Sequence, residues 1–584
     1  MYDLLKTITG PSDVKKLGME ELNTLAGEMR QALIARLTTV GGHCGPNLGF
    51  VEAAVALHYV FDSPEDKMVY DVSHQTYPHK MLTGRQQGYT DPAHYADVSG
   101  FSNPDESAHD FFTIGHTSTS IGLAAGLAKA RDLKGDKENI IAVIGDGSLS
   151  GGEALEALDY AGEQTTNFIV VLNDNEMSIA EDHGGLYKNL KLLRETKGAA
   201  ENNMFKAWGF DYIYVDEGND IEKLIEGFKK AKDSDHPIVV HIHTLKGKGL
   251  PFAEKDPESY HAGGPFDEKT GEYKYKGSGE SYGSLMGEYL EKKMKEDPKV
   301  IAINAATPTM FGFDKARRDR AGVQFTDPGI AEECAAALAS GIAVNGGKPV
   351  WGVFSTFMQR TFDQISQDIC INKSPVTILV YGATAASMND VNHLGIYDIP
   401  MISHIPELVY LAPANAEELF AMTEWSIEQT KYPVAIRVPA GVVHTDEKVD
   451  TDYSDLNRYK VVKKGEDIAI IALGGFLSLG EAAAAEIEKR TGKAPTLINP
   501  RYITGTDDEL LESLKKDHSK VVTLEDGCIS GGFGQMIAGF YSRSDMKVYN
   551  FGLKKEFLDR YDVQEVYKAN RLTPEFIADD VMML

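Results

Sequence analysis

The chain has 584 residues, 42% of them hydrophobic and 25% charged, with a formal net charge of −28. That length exceeds one hydrophobic core and predicts two to four domains, while the acidic surplus argues against non-specific binding to DNA, RNA or anionic lipid. No run of 18 apolar residues occurs, so no membrane-spanning helix is expected. The first residues, MYDLLKTITGPSDVKKL, lack the basic start, apolar core and cleavage site of a signal peptide. Cys44, Cys334, Cys370 and Cys528 are scattered and form no C-x-x-C pair, which predicts a reduced, cytoplasmic protein without a disulfide framework or zinc site.

Short β-rich runs alternate with longer helical patterns, the signature of an α/β protein with mainly parallel sheets. His58, inside the apolar run AVALHYVF, reads as a core residue. NIIAVI (139–144), NFIVVL (167–172) and PIVVHIHT (237–244) read as buried strands, and the polar stretch 267–281 as a linker. KVIAIN (299–304), PVWGVF (349–354), PVTILVYG (375–382), ELVYLAP (407–413) and PVAIRVP (433–439) form a second block. A polar stretch, 444–467, then precedes IAIIALGG (468–475), APTLINP (494–500), KVVTLED (520–526) and KVYNFGL (547–553). Three domains are expected, at 1–275, 276–447 and 448–584.

Gly145-Asp146-Gly147 follows the first of these strands and Asn173-Asp174-Asn175 the second, with 27 residues between Gly147 and Asn175. Between them Ala154, Leu155, Leu158 and Ala161 fit one helix face. Parallel sheets bind ligands at the carboxyl ends of their strands. Glycines there allow backbone N–H groups close to an anion, which the following helix N-terminus favours. Asp146 would repel a phosphate unless a divalent cation lay between them. Asp146, the Asn175 amide and the Met177 carbonyl, completed by phosphate oxygens, make the all-oxygen shell that Mg²⁺ takes. A pair of fold-capping turns is the plainer alternative for either tripeptide taken singly.

The GDG-(x27)-N spacing resembles the thiamine-diphosphate signature, and the chain around it is similar to the 1-deoxy-D-xylulose-5-phosphate synthase family of the transketolase superfamily. The matching stretches are GGHCGPNLGFVEAAVALHYVFDSPEDK (41–67), YDVSHQTYPHKMLTGR (70–85), GHTSTSIGLAAGLAKARDLKG (115–135), EKDPESYHA (254–262), GIAEE (329–333), FSTFMQRTFDQ (354–364) and IPELVYLAP (405–413), with a weaker tail at INPRYI (498–503). The resemblance implies thiamine diphosphate and Mg²⁺ as cofactors. It also implies a diphosphate-binding domain (1–275), a pyrimidine-binding domain (276–447), a transketolase C-terminal-like domain (448–584) and a homodimer acting on small molecules. Such a cofactor forms a carbanion only if a buried, protonated acid faces its pyrimidine ring. Glu332 matches that acid, and Phe354 and Phe357 could stack on the ring. Gly115, His116 and Thr117, with Gly147, Ser148, Lys246 and Leu250, are implied as further cofactor contacts. His43 and His74 are implied near the reacting carbon, His74 touching the cofactor too, with His261 at the substrate and His393 at the acceptor.

The acceptor end departs from the family. Where the family has an arginine that grips the acceptor's phosphate, this chain has Gly382; the family's aspartate is Asn389, and Cys334 follows Glu332-Glu333. Leu250 replaces a tyrosine in KGKGL, the stretch EGND (217–220) replaces DGHD, and the loop after Asn175 is about 30 residues shorter than usual. Arg360 and Arg437 remain as candidate phosphate anchors. The implied activity is decarboxylation of pyruvate and addition of its two-carbon unit to glyceraldehyde 3-phosphate. A transketolase-like carboligase with another ketose donor or aldehyde acceptor stays open, as does a non-catalytic cofactor-binding paralogue.

Overall fold

The computed structural model describes residues 2–275 and 279–583. The chain forms two compact units, Met1–Ser278 with Gly329–Ala331, and Gly279–Pro328 with Glu332–Leu584. The first holds a five-stranded parallel sheet of β1 (Lys67–Tyr70), β2 (Ile140–Gly145), β3 (Phe168–Asp174), β4 (Asp211–Val215) and β5 (Pro237–His243), in the order β1-β2-β3-β5-β4. β2 and β3 read as unbroken apolar runs because both faces of the sheet are covered. Ile141, Val143, Ile169 and Val171 enter one core with α1 (Met19–Val40) and α2 (Val51–Val60). Their chain neighbours Ala142, Ile144, Val170 and Leu172 enter the other with α3 (Ser120–Lys134) and α4 (Gly152–Gly162). His58, on α2, is wholly buried, its Nε2 lying 2.9 Å from His79 Nδ1.

The second unit holds two sheets. One consists of β6 (Val300–Asn304), β7 (Phe325–Thr326), β8 (Lys348–Phe354), β9 (Thr377–Tyr381), β10 (Val409–Leu411) and β11 (Val434–Arg437), all parallel, in the order β10-β11-β9-β8-β6-β7. The other consists of β12 (Lys460–Lys463), β13 (Asp467–Ala472), β14 (Thr496–Asn499), β15 (His518–Cys528) and β16 (Lys547–Leu553), in the order β12-β14-β13-β15-β16. Only β12 runs antiparallel to its neighbour there. α5 (Glu332–Val344) and α6 (Leu477–Thr491) follow the first and second sheets' strands respectively. Among the described residues no helix is long and apolar enough to cross a membrane, and all four cysteines are free thiols.

The protein is thus α/β with mainly parallel sheets, and every β-rich run set out above forms a strand, while AVALHYVF lies on α2. One expectation needs correction. The polar stretch 444–467 is not wholly a separator, because it contains β12, an edge strand whose four residues carry two lysines. The stretch 267–281 begins as a closed turn: Asp267 N donates to Glu272 O (2.8 Å) and Phe266 bridges Tyr273. Residues 276–278 of it lie outside the described residues, next to the domain boundary expected at 275/276. The boundary expected at 447/448 falls within the second unit.

Gly352, in β8, shows how tightly the sheet carrying the second unit's candidate residues is packed. A Cβ added there would lie 2.3 Å from Phe311 Cδ2, on a ring that itself stacks on Phe313. Gly352→Ala is expected to cost about 1–3 kcal/mol by overpacking, read as a lower urea midpoint in tryptophan fluorescence, to which the adjacent buried Trp351 contributes.

Candidate active site

In the first unit the register of β2 against β3 pairs Gly145 with Asn173. Asp146 and Asn175 therefore leave the sheet side by side. Asp146 N donates to Asn173 O (3.2 Å) and Asn175 N to Asp146 Oδ2 (3.3 Å). Asp146 is 1% exposed, and the Asn175 Oδ1 atom is buried without a hydrogen bond. Asp174 is already occupied: Arg194 and His241 (2.9 Å) bind its Oδ2 and, despite burial, hold its carboxyl at about 2.

The shortened loop after Asn175 folds straight back through a Met177–Glu181 bridge and delivers Asp182 to Asp146. Burial and neighbouring carboxylates push both groups up, Asp182 to about 7. Asp182 Oδ2 and Ser178 Oγ are also buried without hydrogen bonds. Beside them Lys246, 3% exposed, donates to Ser178 O, and burial lowers its ammonium to about 8. Among the described residues no three His, Cys, Asp or Glu side chains form a metal cage. Carboxyl, amide and main-chain oxygens are the donors present, and a hard divalent cation fits them. Asp182 was missed in the sequence; its signal is a second aspartate in a loop too short to carry it away.

Segment 115–118 meets this turn. Asp71, at the end of β1, accepts from Ser118 N (2.8 Å) and Ser120 N (2.9 Å), anchoring the start of α3. Ser118, at φ +73°, donates through Oγ to Ser148 O (2.8 Å), bringing Gly115, His116 and Thr117 towards Gly147 and Ser148. Any Cβ on Gly151 would sit 2.0 Å from Ser118 Oγ, so this approach requires glycine.

His43, His74 and His261 cluster, with ring centroids 5.2 Å (43–74), 5.3 Å (74–261) and 6.0 Å (43–261) apart. Asn47, which holds the backbone of His43 and His74, was not singled out in the sequence. Its Nδ2 donates to His43 O (2.8 Å) and His74 O (2.7 Å) while its Oδ1 accepts from Tyr77 N. Desolvation, aided by Lys246 and the other two imidazoles, pushes His261 well below its ordinary range and keeps it neutral. Leu250 lies in the apolar core of this unit. Asn219 of EGND braces the neighbouring turns, donating to Gly49 O (2.9 Å) and accepting from Leu245 N (2.8 Å).

In the second unit Glu332 opens α5 and is 3% exposed. Its Oε2 has no hydrogen bond; the nearest cation, Arg360 Nη1, stands 3.6 Å off. Burial outweighs that arginine and raises the carboxyl to about 7. Phe354 and Phe357 meet edge to face (6.0 Å), and Phe357 meets His393 likewise (5.7 Å). His393 Nδ1 lies 2.8 Å from Asp390 Oδ1. Arg437 is occupied: Nε and Nη2 bind Asp398 (2.8 and 3.2 Å), and Nη2 also donates to Asp526 O (2.6 Å). Asn389 donates to Tyr561 O (3.0 Å).

Residues 5–202 and 191–244 match the family described as 1-deoxy-D-xylulose-5-phosphate synthase. Residues 279–444 match the transketolase pyrimidine binding domain and 457–577 the transketolase C-terminal domain. A 1-deoxy-D-xylulose-5-phosphate synthase of Caldanaerobacter subterraneus subsp. tengcongensis is 38% identical, with 99% of each chain covered. The chain belongs to the 1-deoxy-D-xylulose-5-phosphate synthase family. Synthases of that name from Symbiobacterium thermophilum (37% identical, covering 98% of this chain and 94% of the relative) and Clostridium beijerinckii (37%, all of both chains) agree. Membership of this synthase family applies to the whole chain, so both units above belong to one enzyme.

Glu332 carries a pH signature. Its folded value, about 7, lies above the ordinary 4.5. The native state therefore holds the proton more tightly, and this contribution to stability is complete below 4.5 and lost as pH rises to about 7. Glu525, buried and likewise raised to about 7, adds a second such slope. Glu332→Gln is expected to flatten, not abolish, the fall in apo-protein melting temperature between pH 4.5 and 7.

Proposed function

We propose that the protein is a thiamine-diphosphate- and Mg²⁺-dependent transferase that decarboxylates pyruvate and joins the remaining two-carbon unit to glyceraldehyde 3-phosphate. In the overall reaction the C1–C2 bond of pyruvate breaks and CO₂ leaves. The acyl carbon bonds to the aldehyde carbon, and the aldehyde oxygen takes up one proton. No oxidant or reductant enters.

Asp146, the Asn175 amide and the Met177 carbonyl would hold the ion. The backbone at Gly115, Thr117, Gly147 and Ser148, with His116 and Lys246, would hold the diphosphate. Thiamine diphosphate, when bound, supplies a carbon that can carry a negative charge. Glu332 keeps a proton near neutral pH and offers it from a desolvated carboxyl, while Phe354 and Phe357 present faces for a flat ring. The close set of His43, His74 and neutral His261 suits proton transfer and the grip of a substrate carboxylate. A homodimer in the cytoplasm completes the reading.

The observation that carries this function is the buried Glu332, whose Oε2 has no hydrogen bond, in a chain of this family. Purified protein given pyruvate, glyceraldehyde 3-phosphate, thiamine diphosphate and Mg²⁺ is expected to release CO₂. Glu332→Ala should lower turnover by roughly 10²–10⁴-fold, the range for a lost proton-transfer group, while calorimetric cofactor affinity in Mg²⁺ changes little. Asp146→Asn should instead abolish the Mg²⁺ dependence of that affinity. Turnover surviving Glu332→Ala, or absent from the parent protein, would refute the assignment.

A further inference from the structure

In the first unit the chain forms neither helix nor strand between His94 and Ser120, which opens α3. Loops beyond roughly 12–15 residues without structure of their own are uncommon and usually functional. Four charged side chains hold the middle of this one, the most exposed of them Glu106 at 11%, and none has a part in the chemistry above. Lys80, wholly buried, donates to Ser99 O and Oγ (2.9 Å each) and to Glu106 Oε2 (2.7 Å). Glu106 Oε1 in turn accepts from Ser99 N (2.7 Å). Arg85 binds both oxygens of Asp110 (2.7 and 2.9 Å), and Asp110 Oδ2 also accepts from Asn103 N (2.8 Å).

What these ties bracket is Phe101. On one side Ser99, fixed by Lys80 and Glu106, donates through Oγ to Phe101 O (2.8 Å). On the other, Ser102 N donates to Ser73 Oγ (2.8 Å), which itself donates to Ile114 O (2.7 Å), and Asn103 is fixed by Asp110. Phe101 is 9% exposed, and its ring meets the His43 imidazole edge to face at 5.5 Å, with 71° between the planes. His43 is thus flanked by Phe101 as well as by His74 and His261. Buried charges lose hydration and recover it only in a well-formed hydrogen-bonded geometry, so such a network fixes position rather than adding much stability. An aromatic ring set edge to face on an imidazole favours one orientation of it.

We propose that the segment Ser99–Asp110 is an arm that holds the Phe101 ring on His43, making Phe101 a positioning residue for that imidazole. The proposal rests on the part given to His43 in the function above. The test uses the full-length protein, first without cofactor and labelled with ¹³C at histidine Cε1, the His43 signal being identified by its loss in His43→Gln. Phe101→Leu keeps apolar bulk but removes the ring, and is expected to move the His43 signal while those of His58 and His79 stay. With thiamine diphosphate, Mg²⁺ and glyceraldehyde 3-phosphate, the same change is expected to lower kcat/KM for pyruvate about two- to tenfold, the range of one aromatic contact. Phe101→Tyr, which restores a ring, is expected to recover most of that loss. Ser99→Ala cuts two ties of the arm without touching either ring and is expected to act in the same direction. In Phe101→Leu, an unmoved His43 signal, a kcat/KM within twofold of the parent's, or a loss that Phe101→Tyr does not recover overturns the proposal and leaves the function standing. If Phe101→Leu does not fold, the His43 signal and kcat/KM of Ser99→Ala decide, and no change in either overturns it. Turnover absent from the parent protein refutes the function itself, and the proposal with it.

Discussion

The pairing of Gly145 with Asn173 is the constraint on which the first unit's chemistry depends. Two adjacent parallel strands, buried on both faces, can end only where their apolar runs end. Whatever follows is set side by side at the sheet's rim. Asp146 and Asn175 inherit their proximity from that register, not from any attraction between them. A one-residue slip would turn every side chain of a strand to the opposite face, and two filled cores forbid it. The oxygen-rich turns are thus backed by two strands packed on both faces.

Buried carboxyl groups in this protein meet their desolvation in three ways. Asp174 is neutralised by Arg194 and His241 and serves as structure. Asp146 and Asp182 face one another without enough counter-charge, which is the electrostatic condition that draws a cation in. Glu332 is desolvated by burial, which outweighs Arg360 at 3.6 Å and raises its carboxyl to about 7. The same chemical group is paired, left short of counter-charge or raised towards neutral pH according to what stands within a few ångströms.

The sequence disclosed the interior better than the margins. Its β-rich runs all became strands, whereas β1, β4, β7 and β12, which it did not disclose, are edge strands in their sheets. An edge strand buries less, needs fewer apolar residues and can carry charge, as Lys460 and Lys463 do, so its pattern resembles a loop. The same limit governed the candidate residues. Asp146, Asn175 and Glu332 stand in contiguous motifs, and their identities could be read directly. Asn47 and Asp182 matter because of what the folded chain sets beside them. Arg437 carried the opposite risk: its residue type suggested an anion site, and only the fold revealed Asp398 alongside it.

The hydrogen bond from Arg437 to the Asp526 carbonyl has a consequence for how this polypeptide can be divided. It is one of several ties, with Asn389 to Tyr561 and Thr384 to Asp526, that join the two sheets of the second unit. A gene split between those sheets would yield fragments each ending in a stripped, ionic surface. Fragment exchange among homologues should therefore move residues 279–584 as a single cassette, keeping β6 and β7 with their sheet.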